Sequence, residues 1–319
     1  MRLAIVLIPL LAVTAAAQDI VADVRAAIAQ NNLTQGESLI QSYRSLRGVT
    51  PEMIEAVSWL GRGALAAKQP ARADAYAARA RQLALEQLSH RKLDAEPHLP
   101  LALGASIEVQ AQVMADRGER GEAVAFLRRE LKTYWMTSIR ARIQKNVNLL
   151  SLEGKPAPAL DVRNWLGPKP VPLEQLRGKP VVLFFWAHWC SDCKQVAPDL
   201  ARLASEYASQ GLLVIGPTQH YGYVAGGQDA GPRQETAYID SVRKEFYASL
   251  GGMPAPVSEE NFRNYGASTT PTLVFVDRKG IVRLYHPGAM TYSEMAAVVS
   301  KLTAASFYAT PDKGSVQSR

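Results

Sequence analysis

The only two cysteines of the 319-residue chain stand three apart in Trp189-Cys190-Ser191-Asp192-Cys193-Lys194. That spacing lets two sulfurs bond to each other, so the chemistry open to them is thiol–disulfide exchange. A strand-like apolar run, Val181 to Trp186, leads into the pair, and a helical pattern begins at it. A helix N-terminus offers unpaired N–H groups and a partial positive charge, which favour the thiolate of the first cysteine over its thiol. Cys190 is therefore the expected nucleophile, and Cys193, one turn later, the thiol that resolves a mixed disulfide. Two other readings use the same residues: half of a zinc site, or a structural disulfide between adjacent turns. A closed zinc site takes four ligands. With no further cysteine, His188 and His220 would have to supply the others. No metal and no organic cofactor is expected.

The flanking sequence narrows these readings. Phe185-Trp186-Ala187-His188-Trp189-Cys190 resembles the tryptophan-rich approach to the active site of thioredoxins. Gly154-Lys155-Pro156-Ala157-Pro158 and Leu176-Arg177-Gly178-Lys179-Pro180 are similar to segments of the exported thioredoxin-like reductases of the TlpA/ResA kind. So is Tyr265-Gly266 followed by Thr270-Pro271-Thr272-Leu273-Val274-Phe275-Val276-Asp277, and the resemblance runs from residue 154 to 308. It implies a thioredoxin-like α/β fold, with a central mixed sheet flanked by helices. It also implies a cis Pro271 that, with Thr270 and Trp189, shapes the groove for the partner's backbone. The substrate would be a disulfide-containing protein, and the electron donor a thiol protein such as a membrane thiol transporter.

The chain departs from this pattern twice. Thioredoxins carry a buried aspartate six residues before the first cysteine, where this chain has Phe184. Many TlpA/ResA-type reductases carry a glutamate three residues after the second, where this chain has Val196. Both acids accept the proton of the resolving thiol. With both positions apolar, Asp192, His188 and His220 are the candidates for that work.

The elements that must position the motif follow in order. The run Val181 to Trp186 is apolar throughout, as a strand covered on both faces requires. A helix from Cys190 to about Ser209, interrupted by Pro198, leads to a second buried strand, Leu212 to Gly216. These two strands are expected to be parallel neighbours, so the loop Pro217 to Asp229 emerges at the same end of the sheet as the cysteines. Its aromatics and paired glycines suggest a mobile flap over them. Leu160 to Leu166 with the turn Gly167-Pro168-Lys169-Pro170 reads as an opening hairpin. A helix from about Arg233 to Leu250, strands at Thr272 to Asp277 and Ile281 to His286, and a last helix from Tyr292 to Ala305 complete the unit.

Residues 18–150 are rich in Ala, Leu, Arg, Glu and Gln, which favours helices. Leu60-Gly61 and then Ala73, Ala77 and Ala80 fall where tetratricopeptide repeats place small residues at a close helix crossing. The resemblance to that repeat is degenerate, and a plain α-bundle with an alanine-rich core is the other reading. Either way this half carries no chemical cluster and is expected to bind a protein partner; His90 and His98 read as surface residues of a polar loop. The domain reading is therefore a helical, tetratricopeptide-like domain over 18–150, a thioredoxin-like domain over 151–309 and a disordered tail over 310–319.

Met1-Arg2, the apolar run Leu3 to Val13 and Ala15-Ala16-Ala17-Gln18 have the three parts of a secretory signal, cleaved after Ala17. The expected location is therefore outside the cytoplasm, in the periplasm or its equivalent. The net charge is +7, from 36 basic and 29 acidic residues, and forms no block or stripe, which argues against nucleic-acid binding. The reading is an exported thiol-disulfide oxidoreductase that reduces protein disulfides. A disulfide-forming oxidase using the same pair, or a scaffold whose disulfide is a redox switch, are its alternatives.

Overall fold

The computed structural model describes residues 19–304, so the expected signal segment and the expected disordered tail lie outside the described residues. Contacts divide the chain into two compact units, one up to Val113 and one from Met114.

The first unit is helical: α1 (Ile20–Ala29), α2 (Leu33–Arg47), α3 (Pro51–Ala66), α4 (Pro70–Leu88) and α5 (His98–Asp116), whose last residues cross the division. Local chemistry sets the starts. The side chains of Asp19, Asn32 and Thr50 accept the N–H groups of Ala22, Gln35 and Met53 at 3.0, 3.0 and 3.3 Å. Pro51 and Pro70 open α3 and α4, where a missing N–H leaves no bond unmade. Small residues let the helices approach closely. A Cβ on Gly61 would lie 3.5 Å from both the carbonyl oxygen of Ala73 and the nitrogen of Ala77, and Ala73, Ala77 and Ala80 are fully buried. His98 is not a loop residue: it opens α5, and its Nδ1 lies 2.7 Å from the buried carboxylate of Glu55.

The second unit holds α6 (Arg120–Thr133), α7 (Arg140–Ser151), β1 (Trp165–Leu166), β2 (Val181–Phe185), α8 (Ser191–Glu206) and β3 (Leu213–Ile215). After these come α9 (Pro232–Phe246), β4 (Ala255–Pro256), α10 (Glu259–Tyr265), β5 (Thr272–Val276), β6 (Val282–Pro287) and α11 (Tyr292–Thr303). The four-stranded sheet has the order β3-β2-β5-β6, with β3 parallel to β2 and the other two pairings antiparallel. Along β2, Val182 and Phe184 enter one core with Leu200, Leu273 and Phe275, while Val181, Leu183 and Phe185 enter the other with Phe262, Tyr265 and Val274. Burial on both faces is why the strand reads as one apolar run.

The expected opening hairpin does not form. β1 pairs antiparallel with the distant β4 instead, Trp165 opposite Pro256 and Leu166 opposite Ala255. Pro168 and Pro170 have no N–H to return to β1.

Helices α6 and α7 group with the sheet, although the change in composition put a boundary near residue 150. The buried face of α7 includes Arg140, Asn146 and Asn148. The Arg140 guanidinium donates to both carboxylate oxygens of Glu260, at 3.2 and 2.7 Å, and lies 3.5 Å from the centre of the Trp135 ring. Asn148 Nδ2 donates to the carbonyl of Tyr265 at 2.9 Å. These polar contacts dock α7 on α10.

Candidate active site

Two backbone features place the cysteine motif. β2 ends at Phe185, and Trp186 turns back on the neighbouring strand: its N–H donates to Pro217 O at 3.1 Å and its Nε1 to Gly216 O at 2.9 Å. Cys190 then becomes the N-cap of α8, its Sγ accepting the N–H of Cys193 at 3.1 Å. Cys190 and Cys193 are joined by a disulfide, with Cα atoms 5.3 Å apart. Cys190 retains 3% exposure and Cys193 none.

The other residues singled out in the sequence are distributed unevenly. Trp189 is half exposed, its ring set edge-on to Tyr221 with centroids 5.5 Å apart. The Thr270–Pro271 peptide is cis, and the chain enters β5 directly after it. Thr270 Oγ1 is buried without a hydrogen-bond partner. Phe184 and Val196 are buried in one core, Phe184 meeting Tyr247 at 5.8 Å, so neither acid of the resemblance has a polar replacement at its own position. Asp192 is exposed in the first turn of α8. His220 is exposed too, its Nε2 2.8 Å from Thr236 Oγ1.

His188 is different. It is 1% exposed and ringed by Tyr221, Tyr223 and Tyr238, all edge-on at 5.2–5.5 Å between centroids. Its Nε2 lies 3.5 Å from Oε1 of Glu235, which is equally buried. Glu235 belongs to the first turn of α9, and its carboxylate also accepts the N–H groups of Tyr221 at 2.5 Å and Gly222 at 2.9 Å. The loop expected to be a mobile flap is thus fastened at its aromatic start by this carboxylate. Nothing in the sequence distinguishes Glu235 from a solvated glutamate on an amphipathic helix. Its burial comes from the fold of the preceding loop.

Burial holds the His188 pKa below its ordinary value, against the opposing pull of Glu235. The sign for stability follows from that direction. As pH falls, the unfolded chain takes up this proton first, near the usual histidine pKa of about 6.5, so folding weakens from there downward until the lower folded pKa is passed. Urea midpoints of the oxidised protein are therefore expected to fall more steeply between pH 7.5 and 5 in wild type than in His188→Asn. Parallel slopes with only a constant offset would assign the residue a packing effect alone.

Among the described residues, no group of three or more His, Cys, Asp and Glu has a metal-binding arrangement, and no helix is long and apolar enough to cross a membrane.

Comparison with known proteins agrees with the geometry. Residues 175–303 match the thioredoxin-like domain family. The thioredoxin-like protein YneN of Bacillus subtilis is 29% identical over 45% of this chain and 76% of its own length. The thiol-disulfide oxidoreductase ResA of Bacillus anthracis is 29% identical over 47% of this chain and 78% of its own. The thiol:disulfide interchange protein DsbE of Pseudomonas fluorescens is 28% identical over 43% of this chain and 67% of its own. Each of these alignments spans less than half of the present chain.

Proposed function

We propose that this chain, a thioredoxin-like thiol-disulfide oxidoreductase, works as an exported reductase of protein disulfides. The observation that carries the reading is the placement of Cys190 as the cap of α8, with the Cys193 N–H directed at its sulfur. The same N–H and the positive end of the helix would stabilise a thiolate there. In the reductive direction the Cys190 thiolate attacks one sulfur of the substrate disulfide. The substrate S–S bond breaks, one substrate thiolate leaves, and a mixed disulfide forms. Cys193, having given up its proton, attacks the Cys190 sulfur and expels the second substrate thiolate. The substrate gains two electrons, and the chain is left with the Cys190–Cys193 disulfide, which an external dithiol protein then reduces.

Thr270, Pro271 and Trp189 form the proposed seat for the substrate backbone. Of the three candidates for the Cys193 proton, His188 is the one favoured by its surroundings. Burial keeps its imidazole neutral near neutral pH, and its Nε2 faces Glu235 Oε1 at 3.5 Å. Asp192 and His220, both at the surface, are left as the weaker choices. Export rests on the signal-like segment Met1 to Ala17. A partner role for the helical unit rests on the repeat-like pattern and on a recess of about 340 Å³ lined in part by Ile40, Met53, Val57, Leu60, Tyr76 and Leu83.

Direction is decided by the equilibrium reduction potential of the pair, titrated against dithiothreitol or glutathione with Cys193→Ser as control. A reductase is expected near the thioredoxin value, about −270 mV. A value near that of strong oxidants, about −120 mV, would reverse the flow and make the chain a disulfide-forming oxidase. No turnover on any protein disulfide, in either direction, would leave the disulfide as a switch on a scaffold.

A further inference from the structure

Three structural facts converge on Glu235. A carboxylate that is 1% exposed must find hydrogen-bond donors or a counter-charge, since an unpaired buried charge is costly. Glu235 finds them in two places that are far apart in the chain. Its two oxygens take the consecutive N–H groups of Tyr221 and Gly222, an arrangement helped by the positive φ of 86° at Gly222, which a side chain would resist. One of the same oxygens faces Nε2 of His188, two residues before Cys190. The Tyr221 ring so held packs against both His188 and Trp189.

We infer that Glu235 is a positioning residue of the redox site, a latch that fastens the Tyr221–Tyr223 segment to the cysteine motif and thereby fixes Trp189 for the incoming protein disulfide. The acid missing at positions 184 and 196 is not restored at either place. A carboxylate comes instead from α9, and its contacts give it a mechanical task. Thiolate chemistry at Cys190 does not require the latch, whereas recognition of a folded substrate does, because the substrate must meet Trp189 and the held loop as one surface. The inference rests on the proposed reading of Cys190 as the nucleophile.

The test uses the full chain. Hydrogen exchange of the amides at 221 and 222 reports the latch itself, independently of any activity. Glu235→Gln is expected to speed exchange there by at least about tenfold, the loss of one charge-assisted contact. With a protein disulfide as substrate, KM is expected to rise by about tenfold, with the smaller share of the change in kcat. Glu235→Asp, which keeps the charge, is expected to recover part of both effects.

Tyr221→Ala removes the ring while keeping its N–H for Glu235, so it should raise KM while leaving exchange at 222 slow. This variant decides the matter if Glu235→Gln fails to fold. Unchanged exchange in Glu235→Gln, or an unchanged KM in Tyr221→Ala, would overturn the latch. Absence of turnover in wild type would instead defeat the reading of Cys190, and the exchange data would still report on the latch.

Discussion

Cys190→Ser is expected to abolish turnover of a protein disulfide, leaving only the rate of the donor thiol in buffer, whereas Cys193→Ser is expected to accumulate a covalent adduct with its substrate. The asymmetry follows from the position of the pair on α8. Cys190 caps the helix and receives an N–H at its sulfur, an arrangement that stabilises a thiolate there. Cys193 lies inside the first turn and is wholly buried in the core with Val196, Leu200 and Phe184. On the proposed reading a substrate disulfide meets the first sulfur, which keeps 3% exposure, and not the second, which has none. Replacing Cys190 therefore removes the step that breaks the substrate bond. Replacing Cys193 removes the step that releases the mixed disulfide, which then persists until an external thiol cleaves it. Non-reducing mass spectrometry after mixing each reduced variant with a disulfide substrate reads the outcome directly. An adduct that forms through Cys193 in the Cys190→Ser protein would reverse the assignment of nucleophile and resolving thiol.

What the sequence disclosed and what it hid divide along a physical line. β2, β3 and β5 are legible because their side chains face apolar cores on both sides, so the burial is written in residue type. The positions of the cysteines at a strand-to-helix turn follow from the same runs. The docking of α7 is not legible because it runs through Arg140 and Asn148, residues that a periodicity argument counts as solvated. The pairing of β1 with β4 is not legible because two-residue strands carry no alternation. Glu235 is the strongest case. Its neighbours in space are backbone N–H groups of a loop, which no sequence pattern records, and the histidine it faces looked like one of three equivalent candidates.

The docking of α7 makes Gly266 the position where the largest loss of stability is expected. It ends α10 in the left-handed region, with φ 61° and ψ 33°, a conformation that costs a residue with a Cβ about 1–2 kcal/mol. The second penalty is steric. A Cβ here would lie 2.2 Å from the backbone nitrogen of Lys145 and 2.6 Å from its Cα, and backbone of a packed helix cannot swing aside as a side-chain tip can. Either α7 lifts from α10, loosening the Arg140–Glu260 and Asn148–Tyr265 contacts, or the turn into the cis Thr270–Pro271 segment shifts. Gly266→Ala is therefore expected to lose about 2–5 kcal/mol, combining the conformational cost with the usual price of overpacking. At about 2–4 °C per kcal/mol for a unit of this size, its thermal midpoint should fall by roughly 4–20 °C. Gly121→Ala is the paired control, since that glycine lies within α6 with nothing within 4 Å of the added methyl. There the same chemical change should stabilise by up to about 1 kcal/mol. Equal midpoints for the two variants in circular dichroism melts would mean that α7 does not press on Gly266 in solution. The polar face of α7 would then have no docking role, and the sheet-bearing unit would begin after it.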